Sequence, residues 1–306
     1  MQGSKAKHFL LLHFIVFIWG FTAILGALIS IDAVPLVWYR MLLAVIFIAV
    51  YLCVKKKTLF IDKQSALKYV FTGIIIALHW ITFFKAIKVS TISVALVTMS
   101  TGAFFTSFIE PFFFKRRIKP LEIIMGCGAI IGLYIIFNFE SQYIWGIIYA
   151  LISSFLSALF SVLNGLFVIK KGPHIISFYQ LLFGMLFITV FLLLQEGFTP
   201  GFFQLSVKDW LWLLLLSSIC TAYAFITSIK IMKYLTPYTV MLTINLEPVY
   251  AIVLALLIFG EKEKMNAEFY IGALVVLGVV FLNGMIQNPR KIKSKITTRN
   301  FKNKNL

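Results

Sequence analysis

Apolar residues run along this chain in long blocks separated by short polar loops. Ten blocks reach the length of a membrane crossing, at roughly 8–30, 34–54, 67–87, 91–114, 121–137, 143–169, 175–194, 210–229, 237–260 and 269–285. About twenty apolar residues in a helix cover the hydrocarbon core of a bilayer, so each block predicts a transmembrane helix, with the fifth and tenth near the short limit. The loops are mostly too short for anything but antiparallel hairpins. The first block is too long for a signal-peptide core and is one of many, so it is expected to stay in the mature chain.

The polar loops carry a second pattern. Among 28 Lys and Arg, 22 fall in alternate segments that include both termini, five fall in the other loops, and Arg40 alone lies within a block. Asp32, Glu140, Glu196, Asp209, Glu261, Glu263 and Glu268 fall on the basic-poor side. Basic loops stay cytosolic, so both termini are expected inside a cytoplasmic (inner) membrane crossed many times. The last segment, 289–306, is a basic, polar tail of disordered composition with a secondary use in contacting anionic lipid.

The order of the blocks also repeats. At a shift of 145 residues Thr82 meets Thr227, Lys85 meets Lys230, Lys88 meets Lys233, Thr91 meets Thr236 and Thr98 meets Thr243. That shift is five blocks. Five is odd, so two such halves, 1–139 and 140–288, would cross the membrane in opposite senses. The expected fold is therefore an all-α integral membrane protein of ten transmembrane helices arranged as two inverted five-helix repeats. In that plan a binding site lies between the repeats near the midplane. Gly146, Ala150, Ser154 and Ala158, spaced by four, predict a close helix contact along the sixth block, as do Gly126, Gly132, Gly272 and Gly278 in the fifth and tenth.

Polar residues inside the blocks are the candidate chemistry. The ninth block holds Asn245, Glu247 and Tyr250, and Pro248 is a predicted helix break: it lacks an N–H and crowds the Ile244 carbonyl. A mid-membrane carboxyl is costly unless paired, protonated or wet, so Glu247 is either a paired structural group or a substrate or proton site. Opposite it in the repeat stands Ser100-Thr101-Gly102-Ala103. Arg40 either snorkels outward or faces a cavity, attracting an anionic group or pairing with Glu247. Gln180 occupies the matching place in the seventh block. Trp19 and Trp80 pack in the core or stack on a ligand, and His79 bonds a neighbouring helix or relays protons. Thr98, Asn164, Thr221 and Tyr223 are further cavity candidates, while Glu110 is expected to pair with the basic run 115–117.

Composition sharpens this in two places. The net charge of +17 could suggest nucleic acid, but the charge sits in loops where it sets topology, and 61% of the residues are hydrophobic. Cys53, Cys127 and Cys220 stand singly, with no metal or disulfide spacing, and no cofactor is implied. No hydrolase, metalloprotease or phosphate-loop motif occurs, so neither an enzyme nor a nucleotide-driven pump is expected.

Trp19-Gly20, Pro35 with Arg40, Thr221 with Tyr223, Leu246-Glu247-Pro248 and the closing Gly260-Glu261 together resemble the EamA family of the drug/metabolite transporter superfamily. The resemblance covers nearly the whole chain as two repeats. It implies a carrier in the inner membrane, typically an exporter of amino acids or other small metabolites, working by alternating access without nucleotide hydrolysis. Its partners would be a small-molecule substrate, the lipid bilayer and, as a candidate coupling ion, protons. The first half departs from the pattern, with Gly102-Ala103 where the second has Glu247-Pro248, and Arg116 where it has Glu261. The competing expectation is a polytopic membrane protein that transports nothing, such as a lipid-handling or sensory scaffold. A dry, filled midplane around Glu247 would favour it.

Overall fold

The computed structural model describes residues 2–115, 117, 124, 127–128, 131–132, 134–136 and 141–287. Most of the expected fifth span (121–137) and the basic tail 289–306 lie outside the described residues.

The long apolar blocks fold as helices. They are α1 (Gln2–Leu28), α2 (Ala33–Val54), α3 (Lys63–Val89), the pair α4 (Ile92–Met99) and α5 (Gly102–Phe114), α6 (Ile144–Phe167) and α7 (Pro173–Leu194). The chain continues through α8 (Val207–Leu215), a π-helical stretch (Leu216–Tyr223) and α9 (Ala224–Ile231). The pair α10 (Pro237–Ile244) and α11 (Glu247–Phe259) follows, and then α12 (Ala267–Gln287). Taking α4–α5, α8–α9 and α10–α11 as single crossings, eight helices among the described residues are long and apolar enough to span a membrane, and α12 adds a shorter apolar one. Large apolar side chains such as Leu10, Phe14, Val50, Phe112, Val190, Leu257 and Leu274 point outward. Unlike a soluble protein, which hides such residues in its core, this molecule presents an apolar belt that suits lipid.

The helix ends follow local chemistry. Asp62 caps α3 by accepting from the Ser65 N–H at 2.9 Å, and three hydrogen bonds around it hold its carboxyl well below the usual range. Thr91 and Thr236 cap α4 and α10 in the same way, through the N–H groups of Val94 and Thr239. Asp209 accepts from both the N–H and the hydroxyl of Ser30 at 2.7 Å, which ties the end of α1 to the start of α8.

Two crossings are broken, and they break at equivalent places. Ile92–Met99 and Gly102–Phe114 recur as Pro237–Ile244 and Glu247–Phe259, an offset of 145 residues (237 less 92) at every boundary. The causes differ. In the second half Pro248 falls at the start of α11 and denies the helix a donor. No proline stands at the break in the first half, between Met99 and Gly102. There the Ser100 hydroxyl donates back to the Leu96 carbonyl and the Thr101 hydroxyl to the Thr98 carbonyl, competing with the helix ladder just before Gly102.

Small residues set the closest approaches. Gly73 of α3 crosses Gly184 of α7 so tightly that a methyl on Gly73 would lie 2.5 Å from the Gln180 carbonyl oxygen. Gly146 meets Ser90, and Gly102 faces Ser154. Gly132 and Gly272 face one another across the contact that the sequence pattern suggested.

Candidate functional site

A cavity lies between α1, α2, α3, α4, α6, the π-helical stretch, α9, α10 and α11. The space open to the centre of a water molecule is about 80 Å³, several times what one water needs. Its walls are aromatic: Trp19, Trp80, Phe83, Phe160 and Phe225. Its polar groups are Thr22, Arg40, His79, Ser157, Ser161, Asn164, Ser228 and Glu247.

Arg40 is held on one wall. It is only 2% exposed, so it does not snorkel. Its Nε donates to the Thr221 hydroxyl at 2.6 Å, and its guanidinium carbon lies 3.9 Å from the centre of the Trp80 ring. Both contacts fix the plane of the guanidinium and leave Nη1 without a hydrogen-bond partner among the described residues. The π-helical stretch makes this possible. Widening the helix lets Thr221 donate to the carbonyl of Leu216 five residues back, and turns the Cys220 carbonyl toward Trp19, whose indole N–H donates to it at 3.1 Å.

Glu247 stands at the first position of α11 and also lines the cavity. No ion pair joins it to Arg40, and no hydrogen bond among the described residues engages its carboxyl. The guanidinium and the carboxyl therefore line one aromatic-walled space without an ion pair or hydrogen bond between them.

His79 and Asn164 are held by neighbouring helices. The Ser153 hydroxyl donates to the His79 carbonyl at 2.9 Å, so the His79 Nδ1, which is 2.9 Å from the Ser153 carbonyl, is assigned as the protonated nitrogen. That leaves Nε2 as an acceptor. Gln180 sits behind the cavity wall. Its amide donates to Asn164 Oδ1 at 2.6 Å and to the Thr72 hydroxyl at 2.9 Å, fixing the Asn164 side chain that lines the cavity.

Of the residues singled out from sequence, the structure brings Trp19, Arg40, His79, Trp80, Asn164 and Glu247 to the cavity, with Thr221 and Gln180 supporting them from behind. Asn245 is buried at the break with Nδ2 unpartnered, and Thr98 is buried one turn before the other break. Pro248 is buried at the start of α11. Two hydroxyls fall elsewhere. Tyr223 is 45% exposed, because two residues along a helix is close to half a turn, and Thr221 already faces inward. Tyr250 packs edge-on against Phe17 of α1 instead of the cavity.

Several contributors had no distinct sequence signal. Phe83, Phe160 and Phe225 are three of 32 phenylalanines, and nothing local marks them. Glu263 counted as a loop acid, yet it is 7% exposed and accepts from the N–H groups of Ile92 and Ser93. Glu110 also accepts from the Tyr238 N–H at 3.0 Å, a contact across the two halves that nothing local marks.

The comparisons with known proteins agree with this architecture. The model of the EamA-like transporter family matches residues 7–138 and again residues 144–285. An uncharacterized transporter of Clostridium kluyveri is 27% identical over 205 residues, which is 64% of this chain and 63% of that protein's length. An uncharacterized transporter of Archaeoglobus fulgidus is 23% identical over 92% of this chain and 98% of its own. One solved crystal structure superposes with a TM-score of 0.68 at 13% identity, covering 93% of this chain and 99% of that one, a likeness of fold.

Proposed function

The chain belongs to the EamA-like transporter family, and from that premise we propose that it exports amino acids or similar small metabolites across the cytoplasmic membrane. The carrier works by alternating access between two inverted five-helix halves, 1–139 and 140–288. Both termini face the cytosol, and either the cargo gradient or protons drive transport.

One observation carries the cargo class. Arg40 Nη1 and the Glu247 carboxyl face one cavity, neither satisfied by the other. A zwitterion fits that arrangement, with its carboxylate on Arg40, its ammonium on Glu247 and an apolar side chain against the aromatic walls. Each ionic contact would be charge-assisted and shielded from water, which raises its worth. A cargo with one charge would leave the opposite group buried and unpaired, at a cost of about 1–3 kcal/mol or more. The site therefore selects against singly charged metabolites.

The test loads proteoliposomes containing the protein with an equimolar mixture of amino acids and follows efflux by mass spectrometry. The expected result is saturable efflux of a subset rich in apolar side chains, absent from protein-free liposomes. Efflux of none, or of all at one rate, would overturn the cargo class.

A further inference from the structure

The two broken crossings lie antiparallel, and each is tied to the other at both ends. Glu263, just beyond α11, reaches the start of α4. Its carboxylate accepts from the Ile92 N–H at 3.0 Å, the Ser93 N–H at 3.1 Å and the Ser93 hydroxyl at 3.2 Å. Glu110, near the end of α5, reaches the start of α10 and accepts from the Tyr238 N–H at 3.0 Å. At the repeat offset Tyr238 corresponds to Ser93, so the same helix position is met by a carboxylate in both halves. Both carboxylates are largely buried, at 7% and 8% exposure. In each case the glutamate comes from the half that does not own the helix.

A carboxylate on the free N–H groups of a helix start is a strong, directional contact, favoured by the helix dipole as well as by the hydrogen bonds. It is also reversible: once the helices part, water satisfies both sides. The two contacts sit toward opposite ends of the first broken crossing, at Ile92–Ser93 and at Glu110, roughly 25 Å apart along the helix axis. The central cavity, bounded by Met99 of α4, Ile244 of α10 and Glu247 of α11, lies between them. A surface recess of about 380 Å³ reaches Thr91 and Glu263, so solvent stops at that contact.

We propose that Glu263 and Glu110 are the latches of the two gates, each closing one end of the cavity by capping the opposing half's helix, and that transport releases them in turn. The proposal rests on the alternating-access reading above. It adds two residues that neither touch cargo nor line its cavity. Glu263 engages three donors, and Glu110 accepts from the Tyr238 N–H.

The test uses the native Cys220, which lines the cavity, as a reporter in a Cys53→Ser, Cys127→Ser background. The full chain is placed in oriented vesicles, and a membrane-impermeant methanethiosulfonate is added to one side at a time. Glu263→Gln is expected to speed labelling about tenfold from the side of the Thr91 end only. Glu110→Gln is expected to speed it about as much from the other side only. Should Glu263→Gln fail to fold, Ser93→Ala, which removes one of the three bonds, is expected to give a smaller rise from the same side. Rates that are unchanged, or that rise equally from both sides, would overturn the proposal. Labelling needs no cargo. One-sided opening without any efflux would retain the latches and sink the cargo reading, and efflux with unchanged labelling would do the reverse.

Discussion

The two helix breaks share a backbone and differ in what they do with it. In the first half the break is closed on itself. Ser100 and Thr101 return their hydroxyls to the preceding turn. Ser154 of α6 fills the gap, 2.9 Å from the Thr101 hydroxyl and donating to the Met99 carbonyl at 3.0 Å. Gly102 lets α6 come close enough for this. In the second half the break is left chemically open, with Asn245 Nδ2 unpartnered and the Glu247 carboxyl facing the cavity. The first break leaves only the Thr98 hydroxyl just before it without a partner among the described residues; the second leaves the Asn245 amide and a cavity-lining carboxyl. Buried polar groups cost stability when unmatched, so the capacity in the second half points to a ligand and the closure in the first to structure.

The largest expected effect follows from the open break. Glu247→Gln removes a carboxyl that makes no hydrogen bond to the described residues, so transport in proteoliposomes should fall about ten- to hundredfold, the worth of one charge-assisted hydrogen bond to cargo. The melting temperature should stay near that of the unaltered protein. Flux that keeps its pH dependence in this variant would remove Glu247 from any proton role.

The closed break should respond the other way. Ser154→Ala leaves the Met99 carbonyl without its partner, and stability should drop by about 1–3 kcal/mol, seen as a lower melting temperature in detergent. Transport per folded molecule should change little. A large transport defect at full stability would erase the contrast between the halves.

Asn245→Ala sharpens it further. Its Nδ2 has no partner among the described residues to lose, so an effect of a few-fold on transport is expected with little on melting. The smallest effect is expected at Tyr223→Phe, where the hydroxyl faces outward. Transport rates there should match those of the unaltered protein, and a loss would place Tyr223 among the functional residues.

Much of this was legible in the chain. Within the described residues the apolar blocks match helices or helix pairs to within about six residues, because a membrane crossing needs a long apolar run. Glu247, Arg40 and His79 stood out because charge and imidazole are expensive in such runs. Pairings across the fold were not legible. That Asn164 is held by Gln180, or that Glu263 caps α4, depends on contacts separated by 16 and 170 or more residues, with no local periodicity to signal them. Helix face was the other limit. Thr221 and Tyr223 looked equivalent in sequence, yet two residues apart they face nearly opposite ways, one inward and the other out.

The most direct test of the central claim is a calorimetric titration of the purified protein and its Glu247→Gln variant with an amino acid identified by the efflux screen. Saturable binding to the unaltered protein, weakened tenfold or more in the variant at unchanged melting temperature, is the expected result. Equal affinity in both would contradict the assignment of Glu247 and Arg40 as the two ends of a zwitterion site.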